Sequence, residues 1–177
     1  MSKVPLIIWG GADVCSTYYN ESRSKFAQQP DVYQDKKDFF LVKEAIARQQ
    51  PIIGVCRGAQ LLCVAHGGKL WQHTIPKSQW HPVSTNDGKT FYNVTAGHHQ
   101  IMRPQGNFEL IGWNPEETKV YVTDEKVEML SDCAEIIWYP NTKCLAVQPH
   151  PEWSAKGNTF VEWLNEKIKS LNIDYKF

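Results

Sequence analysis

Two short segments hold the residues most able to do covalent chemistry: Gly54-Val55-Cys56-Arg57-Gly58 and Gln148-Pro149-His150-Pro151-Glu152. Pro51-Ile52-Ile53 precedes the first and an apolar helical pattern through Leu61, Leu62 and Ala65 follows it. Strand, sharp turn and helix in that order form a nucleophile elbow with Cys56 at its tip. Gly54 and Gly58 suit such a turn because two backbone segments approach where a Cβ would clash. The helix after Cys56 points its unpaired N–H groups and positive end at the sulfur, which favours a thiolate. His150 supplies a base, and Glu152 a carboxylate to fix its tautomer. The chemistry this set predicts is amide hydrolysis: Cys56 attacks the amide carbon, and His150 takes the thiol proton and returns it to the leaving amine.

The elements that must position these residues alternate between strand and helix. Val4-Pro5-Leu6-Ile7-Ile8-Trp9 reads as a buried parallel strand ending at Gly10-Gly11. A polar loop is expected over about 12–36, then a helix from Asp35 or Lys36 to Gln49 with Phe39, Val42, Ala45 and Ile46 on one face. The elbow helix is expected to stop at Gly67-Gly68. Short strands are predicted at Phe91–Thr95, Phe108–Trp113, Lys119–Thr123 and Val127–Leu130, the last two as a hairpin. A second hairpin is expected from Ala134–Tyr139 and Lys143–Gln148 around Pro140-Asn141-Thr142, leading to His150. A last helix is read over about Ala155–Leu171. The fold class predicted is a flavodoxin-like α/β domain over 1–177: an open, mostly parallel sheet with helices on both faces and its site at strand C-terminal ends.

Composition limits the partners. The 177 residues carry 19 basic and 19 acidic side chains and no polybasic run, which argues against nucleic acid or an anionic membrane. Such a length suits one domain that buries roughly 70% of its unfolded surface. Met1-Ser2-Lys3 and the few apolar residues after it are too short for a signal-peptide core or membrane span. Five cysteines, an odd number without C-x-x-C spacing, predict a reduced, cytoplasmic protein with one special thiol. Cys63 is expected to pack in the core.

The segment G-V-C-R-G-A-Q, followed by L-L-C-V-A-H-G-G-K-L-W-Q, resembles the class I glutamine amidotransferase superfamily, in its branch of γ-glutamyl hydrolases. G-G-A-D-V near the start, H-H-Q at 98–100 and Q-P-H-P-E-W at 148–153 match the same branch in order, so the resemblance spans about residues 6–165. It implies a Cys56-His150-Glu152 triad, an oxyanion hole from the backbone N–H groups of Gly11 and Arg57, and Gln60 near the γ-glutamyl group. Gly10 would also border the substrate, and His98 and His99 either line the pocket or make loop contacts. Asp13 is expected to brace the Gly10-Gly11 turn. The reaction implied releases ammonia or an amine through a γ-glutamyl thioester, with no cofactor. Oxyanion donors of this kind are worth about 2.7–4 kcal/mol each.

The chain also departs from that pattern. A strand–helix–strand unit usual before G-G-x-D-V is expected to be missing or radically shortened, which predicts an exposed sheet edge or helix-free face suited to a homodimer or another partner. Ala96-Gly97 stands where a serine is usual before H-H-Q, which predicts a weaker substrate contact. His66, His73, His81, His98 and His99 follow no metal-binding spacing, so no metal is expected. Three functions compete: a glutaminase feeding ammonia to a separate synthetase, a free γ-glutamyl amide hydrolase, and a binding module without turnover.

Overall fold

The structure is a computed structural model that describes residues 4–75 and 79–177. The Met1-Ser2-Lys3 opening lies outside the described residues. Among the described residues, eleven strands and three α-helices follow one another. Strand β1 (Leu6–Ile8) leads to helix α1 (Val32–Ala47), strand β2 (Ile52–Val55) and helix α2 (Arg57–Ala65). Then come β3 (Lys69–Trp71), β4 (Trp80–Thr85), β5 (Thr90–Thr95), β6 (Ile101–Arg103) and β7 (Glu109–Asn114). The hairpin β8 (Thr118–Tyr121) and β9 (Val127–Leu130) precedes β10 (Cys133–Tyr139), β11 (Cys144–Val147) and α3 (Thr159–Ser170).

The main sheet runs β1-β2-β11-β10-β7-β4-β5, with β6 joining β10 and β3 joining β6. Its pairings are parallel where the elbow sits, β1 with β2 and β2 with β11, and antiparallel from β10 outward. Among the described residues, strand β1 is the outer strand at that end. Both expected hairpins form, β8 with β9 and β10 with β11.

Helices cover both faces because the central strands alternate. Ile52, Ile137, Tyr139, Cys144 and Ala146 face one core, which takes Val42 and Ala45 from α1 and Leu61 and Leu62 from α2. Ile53, Val55, Ile136, Trp138, Leu145 and Val147 face a second core built with Phe160, Trp163, Leu164 and Ile168 of α3. A period of two along strands buried on both sides yields this division.

Helix α1 starts earlier than the apolar pattern indicates, at Val32, because Asp31 caps it through the Gln34 amide at 3.0 Å. Its inward face carries Asp35 and Asp38 beside Val42 and Ala45, while Tyr33 and Phe40 stand exposed. Arg57 is the reason for this inversion. Its guanidinium reaches Asp35 at 2.5 Å and Asp38 at 2.6 Å, all three side chains being buried. The remaining carboxylate oxygens accept from the Cys15 N–H and the Gln34 amide at 2.9 and 2.8 Å, so the buried charges are paired and hydrogen-bonded as burial requires.

Candidate active site

The elbow is built by close backbone contact. A Cβ on Gly54 would lie 2.4 Å from the Gly58 carbonyl oxygen, and one on Gly58 would lie 2.0 Å from that of Ile8. Only glycine lets β2, α2 and the end of β1 approach this closely. Between the two glycines Cys56 adopts φ 51° and ψ −110°, a conformation that L-residues rarely hold and that costs of order 1–3 kcal/mol. The Cys56 N–H is tied to the Val147 carbonyl at 2.9 Å, so the turn is clamped to β11, the strand that leads to His150.

His150 is buried, and its Nδ1 lies 2.7 Å from Glu152 Oε1. A carboxylate accepts here, so Nδ1 carries the hydrogen. Trp153 stacks on the imidazole with centroids 3.5 Å apart and planes 2° from parallel. The Thr95 carbonyl accepts the His150 N–H at 3.2 Å, and the Thr95 hydroxyl donates to the His150 carbonyl at 2.7 Å. Ring and backbone are therefore both held. A Cβ on Gly10 would sit 3.2 Å from His150 Cε1, 3.7 Å from Cys56 Cβ and 3.9 Å from His150 Nε2. Cys56, His150 and Gly10 thus border one small volume.

Burial pushes the Cys56 thiol up to about 12, against the Arg57 N–H, which points at the sulfur and lowers it; Glu152 and Glu135 add repulsion. The elbow's geometry was expected to favour thiolate, and burial overrides that effect. The resting sulfur keeps its proton. Alkylation by iodoacetamide should accordingly rise about tenfold per pH unit from 6 to 9 with no plateau, read on the Cys56 peptide by mass spectrometry. A plateau below pH 8 would show a preformed ion pair instead.

The other expected residues are distributed around this centre. A Cβ on Gly11 would meet Cδ of the Arg57 side chain at 3.1 Å, so the two residues expected to supply oxyanion donors are in contact. Gln60 is buried under the elbow, its Nε2 3.3 Å from the Gln100 carbonyl and 3.4 Å from Gln148 Oε1. His99 bonds Asp13 at 2.9 Å and His73 at 3.1 Å. Asp13 also takes the Gln28 N–H at 2.7 Å, so it ties the 12–36 loop to the 98–100 loop rather than bracing the Gly10-Gly11 turn. His98 lies one layer deeper, beside Glu135 and His81, and burial, the largest influence on it, pushes its imidazole below the ordinary value. Gly97 has a local reason to replace a larger residue: a Cβ there would lie 2.7 Å from the Trp153 ring. Cys63 is fully buried, as expected. Sequence reading missed the two carboxylates that hold Arg57, and no local signal could have revealed them, since their partner lies on another helix.

An elbow cysteine, a histidine–glutamate pair at the end of a neighbouring strand and a glycine turn facing both are features of one protein class, and the chain belongs to it: residues 4–152 match the Peptidase C26 family. Over 169 residues the chain is 30% identical to a Mycobacterium tuberculosis protein named "Putative glutamine amidotransferase", covering 84% of this chain and 50% of that one. The chain spans about half the length of the curated relatives it matches. Among solved structures, a Thermoplasma acidophilum protein titled "putative gmp synthase subunit a protein" aligns at TM-score 0.62 and 15% identity, over 95% of this chain and 72% of that one. A glutamine amidotransferase from Thermotoga maritima aligns at TM-score 0.51 and 16% identity, over 83% of this chain and 63% of that one. These likenesses show the flavodoxin-like amidotransferase fold. Among the described residues no helix is long and apolar enough to cross a membrane.

Proposed function

We propose that the chain is a cysteine-dependent glutaminase that hydrolyses the side-chain amide of glutamine and supplies ammonia to a synthetase on a separate chain. The observation that carries this reading is the 2.7 Å His150–Glu152 contact, with the His150 ring and Cys56 both bordering Gly10.

The steps follow from protonation. Nε2 takes the Cys56 proton as the sulfur attacks the amide carbon, and Glu152 stabilises the imidazolium that results. The carbonyl oxygen becomes an oxyanion, received by the Arg57 N–H at the start of α2 and by the Gly11 N–H opposite. His150 then protonates the leaving nitrogen, ammonia departs and a γ-glutamyl thioester remains. Water attacks the thioester with His150 again as base. Glutamate leaves and the thiol regains its proton. The ion pairs from Arg57 to Asp35 and Asp38 hold the first residue of α2, and with it the N–H assigned to the oxyanion.

Glu152→Gln should lower kcat about a hundredfold or more while the melting temperature stays near that of the parent, because an amide cannot stabilise the imidazolium. A fully active Gln variant would make Glu152 a structural charge. The Thermoplasma acidophilum protein, titled as a synthase subunit, is an example of this fold that supports amidase and synthetase being separate chains. Membership of a peptidase family favours a second reading, a free hydrolase of γ-glutamyl amides. Ammonia release from L-glutamine beside a panel of γ-glutamyl amides tests both. Turnover of glutamine supports the glutaminase, turnover only of larger amides supports the free hydrolase, and silence on all of them overturns both.

A further inference from the structure

Behind the candidate active site, three side chains from separate elements converge with nothing between them. His81 lies on β4, His98 on the loop between β5 and β6, and Glu135 on β10. His81 Nε2 is 3.1 Å from one Glu135 oxygen and His98 Nε2 is 3.6 Å from the other. The potential ligand atoms all lie within 4.8 Å of one another. Yet His81 Nε2, His98 Nε2 and Glu135 Oε2 are buried atoms without a hydrogen-bond partner among the described residues. The 3.1 Å approach of His81 is close without hydrogen-bond alignment.

The tautomer of His98 sharpens the point. Its Nδ1 lies 3.0 Å from the Gln100 carbonyl oxygen, which can only accept, so Nδ1 carries the hydrogen. In the neutral ring its Nε2 presents a lone pair to a carboxylate oxygen. Two acceptors facing each other in a buried place are unfavourable unless a proton or a metal cation lies between them.

We propose that His81 Nε2, His98 Nε2 and the Glu135 carboxylate form a binding site for one divalent first-row transition-metal ion, with Zn2+ as the reference ion. Two imidazole nitrogens and a carboxylate are a donor set suited to zinc, and the Nδ1–H of His98 on a carbonyl is the outer hydrogen bond that metal-binding histidines make. Ligand bonds of about 2.0–2.2 Å put tetrahedral neighbours about 3.4 Å apart. The widest separation must therefore close by rather more than an ångström. The β4–β5 register is irregular between His81 and Val83, which leaves His81 at a bend in the strand rather than in regular ladder. The cluster also walls a cavity of about 70 Å3 that Asn114, Glu116 and Thr118 complete, giving an ion a way in and room for a water ligand.

The bound ion would act by position. His98 sits beside Gly97, which abuts Trp153, and the Glu135 carbonyl accepts the Gln148 N–H at 2.8 Å, two residues before His150. An ion at this place ties β4, β10 and the 96–100 loop together behind His150 without touching its Nε2. The inference does not depend on glutaminase activity.

The test is a calorimetric titration of the full chain with Zn2+, free of any affinity tag and carrying Cys56→Ala so that the elbow thiol cannot be the ligand. One Zn2+ per chain is expected, with binding weakened at least about tenfold by His81→Gln and by Glu135→Gln. X-ray absorption of the Zn2+-loaded Cys56→Ala chain needs no ligand substitution and should show only nitrogen and oxygen neighbours, two of them imidazole. No binding, sulfur in the shell, or affinity indifferent to both substitutions would overturn the proposal.

Discussion

Cys56→Ala should abolish ammonia release from glutamine, with a loss of about 10⁴-fold or more, since a chain without its nucleophile cannot form the thioester. Residual turnover within tenfold of the parent would refute the assignment of Cys56. Stability provides an independent reading of the same residue. At an ordinary position alanine is more stable than glycine by roughly 0.5–1 kcal/mol. At position 56, φ 51° and ψ −110° lie in a region that glycine enters freely and alanine does not. Cys56→Gly is therefore expected to be the more stable of the two inactive variants, by about 1 kcal/mol in urea unfolding. The inverted order would show that the strain belongs to the backbone of the elbow rather than to the thiol. An ordinary order, alanine above glycine, would mean that the turn is relaxed in solution.

The elbow was legible because everything that specifies it is local. Two glycines, an apolar run before and a helix pattern after lie within a dozen residues. The hairpin that delivers His150 was legible for the same reason. What could not be read depends on partners far along the chain. Helix α1 looks irregular as a sequence because Asp35 and Asp38 occupy its inner face, and only the arrival of Arg57 from α2 makes that burial sensible. Strands β3 and β6 are three residues each and carry no alternation of their own. Strand β4 contains Pro82, which cannot donate to a ladder and argues against a strand; the structure accommodates it where the register shifts between His81 and Val83. The same scattering hid the cluster of His81, His98 and Glu135. Their spacing resembles no metal motif because three elements have to fold before they meet.

Gly58→Ala should cost about 3 kcal/mol or more, and the sign is informative because local propensity predicts the opposite. Gly58 lies in α2, where alanine is intrinsically better by about 1 kcal/mol. The added methyl, however, would lie 2.0 Å from the Ile8 carbonyl oxygen and 2.7 Å from its carbon, both rigid backbone. No side-chain rotation relieves that overlap. Helix α2 must move off the end of β1 by more than an ångström, and overpacking of this kind commonly costs 1–3 kcal/mol or more. A melting temperature lower by about 6–12 °C is expected for a chain of this size. Gly88→Ala is the fitting control. That glycine has φ +83° and nothing within 4 Å of the added methyl, so it registers the cost of a left-handed conformation alone, about 1 kcal/mol. If the two variants were equally stable, the contact between α2 and β1 would be looser than described. If Gly58→Ala is much the worse, activity should fall further than its folded fraction does. The displacement that relieves the methyl carries Cys56 and the Arg57 N–H away from the Gly10-Gly11 turn, which follows Ile8 after one residue, Trp9. One methyl group would then separate the sulfur from the Gly11 N–H proposed as an oxyanion donor, without altering any residue proposed to touch the substrate.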